Sequence, residues 1–173
     1  GTVTEGRPVV TEILTHSAAE PELLRLTAAA EAGSEHPLAR AVLARTGNLE
    51  LPALEEFQSE AGLGVTALVA ARRVVIGNRR LLGRHGIALD ALDAQATQLE
   101  QRGRTVLWVG ELAPAARLLG AIAVADPLRP TAREAVRRLQ AIGIETVLLT
   151  GDNERTAAAV ATQLGIERVR AGV

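Results

Sequence analysis

Thr150-Gly151-Asp152-Asn153 follows directly on an apolar run, Thr146 to Leu149, and precedes a helical pattern. A hydroxyl, a backbone bare of side chain and the free amides of a helix start together suit a phosphate. Ligands of open parallel sheets also bind beyond the carboxyl ends of strands. The same four residues equally make an ordinary strand-to-helix turn, with Gly151 supplying a positive φ and Asn153 a cap. A second group is Gly62-Leu63-Gly64 with Gly77-Asn78. Glycines let backbone amides approach a flat or charged ligand, yet beside strands they also mark turns and bulges. The dinucleotide fingerprint does not fit, because Gly64 leads into a strand and position 67 is Ala67. The third group is Glu31 with Ser34-Glu35-His36-Pro37. A tight corner there puts a carboxylate and an imidazole on one side. The pair could read a nucleobase, with Glu31 accepting from an exocyclic amine and His36 packing on the ring. It could also be half of a metal site, or His36 could simply cap a helix. With no Cys, and only His16 and His85 as other imidazoles, zinc would have to draw on carboxylates. No metal site is assigned.

These residues need elements to hold them. Val9 to Leu14, Leu54 to Ser59, Val65 to Ala70, Arg72 to Ile76, Thr105 to Val109 and Leu118 to Val124 read as strands. Pro21 to Ala32 reads as a helix stopped by Gly33, with Leu23, Leu24 and Thr27 on one side. Pro37 to Arg45 reads as another, with proline in the favoured first turn. Asn78 to His85 and Asp90 to Arg102 are further helices. After Asp126 the texture changes to helix (Pro130 to Ala141), strand buried on both faces (Thr146 to Leu149), helix (Glu154 to Leu164, capped by Asn153) and a last strand from Val169. That rhythm is a parallel sheet with crossover helices, whereas the first two-thirds is α+β. The boundary is placed at Asp126-Pro127-Leu128-Arg129-Pro130.

Composition narrows the function. The chain has 173 residues, net charge -1 and an apolar fraction of 47%, so it can bury a real core. The absence of Cys excludes thiol chemistry, and all 19 basic residues are Arg, which excludes lysine chemistry within this span. Near-neutral charge and only two aromatics, Phe57 and Trp108, argue against a general nucleic-acid binder. Neither a membrane-spanning run nor a signal peptide is read. Gly1 at the start, with no Met anywhere, is taken to mean excision from something larger.

Together the motifs resemble the cytoplasmic ATP-binding region of heavy-metal-transporting P-type ATPases, most of all the copper-exporting branch. Gly1-Thr2-Val3-Thr4-Glu5-Gly6 is similar to the tail of the Asp-Lys-Thr-Gly-Thr phosphorylation motif. Ser34-Glu35-His36-Pro37 matches the Ser-Glu-His-Pro signature, and Gly62-x-Gly64 with Ile76-Gly77-Asn78 matches the glycine pair and later glycine. Asp126 to Pro130 resembles the hinge back to the phosphorylation domain, and Thr150-Gly151-Asp152-Asn153 matches its Thr-Gly-Asp motif. The resemblance covers essentially the whole chain.

It implies a nucleotide-binding domain at 8–125, an antiparallel sheet flanked by helices. Residues 1–7 and 126–173 would be part of an α/β, haloacid dehalogenase-like phosphorylation domain. Glu31 and His36 would contact adenine, Gly62, Gly64 and Gly77 would shape the cleft, and Asn78 would support it. Thr150 and Asp152 would handle the phosphoryl group in the full enzyme, whose cofactors are ATP and Mg²⁺. Partners would be an adenine nucleotide and the remaining phosphorylation, actuator and transmembrane domains, with no nucleic acid. The phosphorylated Asp would lie just before Gly1, and the Mg²⁺-binding Gly-Asp-Gly-x-Asn-Asp motif after Val173. The span should therefore bind nucleotide without turnover, and its phosphorylation domain should lack final strands. Two other readings stand beside this one. A free-standing dehalogenase-like phosphatase needs two close acids after its first strand, where only Glu5 occurs. A non-catalytic interaction domain would make the motifs mere turns.

Overall fold

A computed structural model describes residues 2–173, so Gly1 of the opening motif lies outside the described residues. Six strands form one antiparallel sheet: β1 (Val9–Thr15), β2 (Leu54–Glu60), β3 (Gly64–Val69), β4 (Arg72–Gly77), β5 (Thr105–Glu111) and β6 (Arg117–Ala125). Their order is β1-β6-β5-β4-β3-β2. Side chains alternate across a strand, so the central strands β4, β5 and β6 feed two cores. In β5, Leu107 and Val109 join the core under α1 (Glu20–Glu31) and α2 (Pro37–Thr46). Val106 and Trp108 join the core under α3 (Arg79–Arg84) and α4 (Asp90–Gln101) on the other face. Trp108 is fully buried, which removes enough apolar area for about 4–6 kcal/mol of transfer free energy.

The last third builds a second, smaller layer. Strands β7 (Val147–Leu149) and β8 (Arg168–Arg170) pair in parallel beside α5 (Ala132–Ala141) and α6 (Glu154–Leu164). Val136, Leu148, Ala161, Leu164 and Ile166 form its core. The start of the chain returns to it. Thr4 bridges Leu128 in antiparallel fashion, Glu5 N–H donates to the Pro127 carbonyl and Arg129 N–H to the Val3 carbonyl. The Asp126 carboxylate accepts the Gly6 and Arg7 amides, both at 3.1 Å. The two crossings between the layers are thus pinned side by side. No described helix is long and apolar enough to cross a membrane.

The expected class, an antiparallel sheet flanked by helices with a partial α/β part, is what the structure holds. Several local expectations change. The run at Thr146 to Leu149 is not buried on both faces: Leu148 is buried, but Val147 and Leu149 are 49% and 67% exposed. This sheet has only two strands among the described residues, and its core gathers on one side. Ala70 is not the end of a strand. It sits with Ala71 in a two-residue hairpin turn at φ 48 and 62, a left-handed geometry that alanine does not advertise. Gly33 does not end α1 through a left-handed φ, since Ala32 caps the helix in ordinary right-handed geometry. Its lack of a side chain serves packing instead, for a Cβ there would lie 2.9 Å from the Phe57 ring. Helix α5 begins at Ala132 and not at Pro130.

Candidate functional site

The corner between α1 and α2 is built by local hydrogen bonding. Glu31, in the last turn of α1, is only 6% exposed. Burial raises its carboxyl above the ordinary range, opposed only by a hydrogen bond from the Ser34 side chain. The Ser34 hydroxyl oxygen also accepts the His36 amide at 3.2 Å. His36 is the N-cap of α2, and its Nδ1 accepts the Leu38 amide at 3.2 Å. An accepting Nδ1 leaves the proton on Nε2, so the exposed imidazole offers a donor outward. The structure brings Glu31 and His36 to one corner through Ser34. The sequence reading gave Ser34 no role of its own, although a serine two residues before a helix cap is the spacing of such a turn. The capping role of His36, one of the alternatives left open, is real and leaves Nε2 unused.

The glycine group forms one knot at the β3–β4 end. Gly64 and Gly77 are direct cross-strand partners. A Cβ on Gly64 would lie 2.1 Å from the Ile76 carbonyl oxygen, and one on Gly77 would lie 2.2 Å from that of Leu63. Only hydrogen fits at either place. Gly62 turns at φ 71. Asn78 ties the knot: its Nδ2 donates to the Gly62 carbonyl at 2.9 Å and its Oδ1 accepts the Leu81 amide at 3.1 Å, capping α3. Its own amide donates to the Leu63 carbonyl at 2.9 Å. Asn78 and Gly62 are exposed while Gly77 is buried. The result is a close β3–β4 approach with no room for a side chain at Gly64 or Gly77 and the polar Asn78 at its edge.

The Thr150–Asp152 turn stands on the other layer. Thr150 Oγ1 donates to Asp152 Oδ2 at 2.9 Å and accepts the Asp152 amide at 3.2 Å. Asn153 Oδ1 accepts the Thr156 amide at 3.0 Å and so caps α6. Gly151 has no positive φ, so that part of the ordinary-turn explanation fails. The second oxygen of Asp152 reaches the large sheet, where Thr105 Oγ1 donates to Oδ1 at 2.9 Å. Nothing in the sequence marks Thr105. Two surface hollows stand out, of about 420 Å³ at Arg129, Arg133 and Gln163 and about 260 Å³ at Gln140, Thr146 and Arg168. Neither is lined by a candidate residue. Among the described residues no group of three or more His, Asp or Glu side chains is placed to hold a metal ion.

The whole span, residues 1–173, matches the family described as haloacid dehalogenase-like hydrolase. A silver-exporting P-type ATPase of Salmonella typhimurium is 43% identical over 176 residues, covering 100% of this chain and 21% of that protein. The chain thus spans about a fifth of the curated relatives it matches. The crystal structure of a zinc-transporting PIB-type ATPase in an E2.Pi state superposes with a TM-score of 0.69 at 38% identity, over 100% of this chain and 28% of that one. The N-domain of a copper-transporting P-type ATPase superposes with a TM-score of 0.56 at 30% identity, over 68% of this chain and 96% of its own. The chain belongs to the haloacid dehalogenase-like hydrolase family, on the branch formed by the heavy-metal-exporting P-type ATPases.

Proposed function

We propose that these 173 residues are the ATP-binding segment of a pump that drives heavy-metal cations, copper above all, out across a membrane. Residues 8–125 are the nucleotide-binding domain. Residues 1–7 and 126–173 belong to the phosphorylation domain, on the cytoplasmic side with the remaining phosphorylation, actuator and transmembrane parts. The 8–125 span is about two-thirds of the chain, the share that the solved N-domain covers. Relatives that export silver or copper support the cargo.

One observation carries the nucleotide reading. Glu31 is a buried carboxylate without a cationic partner among the described residues, tied through Ser34 to an imidazole whose Nε2–H faces out. A buried acceptor of this kind is satisfied by an amine donor, and the exocyclic amine of adenine supplies one beside a ring edge. In this reading Gly62, Gly64 and Gly77 shape the rest of the cleft and Asn78 supports it. Thr150 and Asp152 handle the phosphoryl group in the complete pump, where Mg²⁺ neutralises phosphate charge. Asp90 is the first Asp of this span and Lys is absent from it. No Asp beside a Lys is present to accept a phosphoryl group, so the 173 residues bind ATP and do not turn it over. Calorimetric titration with ATP, ADP, AMP and GTP tests this. ATP should bind with modest affinity and GTP at least about ten-fold more weakly, the effect of one mismatched buried polar group. Equal affinity for GTP, or steady phosphate release, overturns the reading.

A further inference from the structure

Deepening the reading of Thr150 and Asp152 as phosphoryl-handling residues, we propose that Thr105 is a positioning residue that holds Asp152 onto Thr150 and keeps the turn closed until the two layers part. A threonine hydroxyl has one proton to give. Here the Thr150 proton is spent on Asp152 Oδ2, at 2.9 Å. The carboxylate cannot swing away, because its other oxygen accepts from Thr105 at the first residue of β5, also at 2.9 Å. Thr150 can donate to a phosphoryl oxygen only after Asp152 lets go of its proton.

The surroundings show that this contact belongs to a built joint. Thr156 Oγ1 in α6 donates to the Arg104 carbonyl at 2.7 Å, one residue before Thr105. Glu100, 3% exposed, accepts from Arg155 of α6 at 3.0 Å and from Arg79 of α3 at 3.1 Å. Arg79 lies 4.9 Å above the Trp108 ring and follows Asn78 directly in the chain. Polar contacts joined by chain-adjacent residues therefore lead from Asn78 of the glycine knot to the Thr150–Asp152 turn. Moving the α6 end away from β5 breaks the Thr105 bond, and the freed carboxylate releases Thr150.

The test uses the ¹⁵N-labelled 173-residue chain and inorganic phosphate, followed at the amides of residues 150–153. Thr105→Val keeps the shape and strand preference of the residue and removes the hydroxyl. It should tighten phosphate binding at the turn about ten-fold, the ratio carried by one hydrogen bond to a carboxylate. Thr105→Ser restores the hydroxyl and should return wild-type affinity. A merely structural role predicts equal or weaker binding in Thr105→Val, and that result overturns the proposal. So does Thr105→Ser behaving like Thr105→Val, or no phosphate response at 150–153 in all three proteins. ATP is titrated into the same samples and read at His36 and Gly64. Loss of that response alone counts against the adenine site and leaves Thr105 standing, and the converse pattern does the reverse.

Discussion

Replacing Glu31 by Gln should move stability and binding in opposite directions. Burial holds the Glu31 carboxyl above its ordinary pKa of 4.5, against a single opposing hydrogen bond from Ser34. A carboxyl raised on folding contributes stability that is complete below its unfolded value and lost as pH rises through its folded value. At pH 7 the ionised group is therefore a burden on the fold. The glutamine side chain in Glu31→Gln is neutral and nearly isosteric, so stability at pH 7 should rise by about 1 kcal/mol, or about 2–4 °C in Tm for a chain of this size. That gain should shrink to nothing as pH falls through 4.5, where Glu31 is neutral too. The adenine amine would meanwhile lose a charged acceptor. Charged hydrogen bonds exceed neutral ones by about 1 kcal/mol, which weakens ATP about five-fold. Thermal melts from pH 4 to 8 with calorimetry at pH 7 read both quantities. A Tm that falls at pH 7, a gain that ignores pH, or unchanged ATP affinity would refute the reasoning.

Other changes separate binding from folding. His36→Asn keeps a good N-cap on α2 and removes the Nε2 donor; ATP should bind about three- to ten-fold more weakly at an unchanged Tm, and a lower Tm without a binding loss contradicts this. Gly64→Ala drives a Cβ to 2.1 Å from the Ile76 oxygen and should cost more than about 3 kcal/mol in denaturant melts. Gly62→Ala, at φ 71 with open space around it, should cost only about 1–2 kcal/mol, so equal costs would break the account of the knot. Glu111, 3% exposed, is held below its ordinary pKa chiefly by Arg72 and then by Arg117. Its contribution is present above 4.5 and lost as pH falls through the folded value. Glu111→Gln should cost about 1–2 kcal/mol at pH 7, discounted for the half-buried Arg72 and the exposed Arg117, and should flatten the acid side of the stability curve.

Period and punctuation carry most of the architecture. The strands from Val9 to Ala125 and the helices are legible to within a residue or two, most of them from alternation, a cap or a proline, although β2 holds no β-branched residue and α4 neither a proline nor a capping side chain. The Ser34–Pro37 corner and the glycine positions stand out because their residue types are chosen for local backbone reasons. Partners distant in sequence are another matter. Gly33 looks like a helix stop because the Phe57 ring that needs its bare backbone comes 24 residues later. Thr105 looks like any strand threonine because Asp152 lies 47 residues away. The Ala70–Ala71 turn is silent because tertiary pairing of β3 with β4, and not residue preference, imposes the left-handed backbone. The apolar Val147 and Leu149 read as buried because local pattern cannot count how many strands flank them.

Chemical-shift mapping of the 173-residue chain with ATP tests the central claim most directly. Saturable shifts are predicted at Ser34, His36, Gly62, Gly64 and Asn78, with GTP reproducing them only at much higher concentration. Shifts confined to the hollow around Arg133 and Gln163, or a spectrum indifferent to ATP at millimolar concentration, would contradict it.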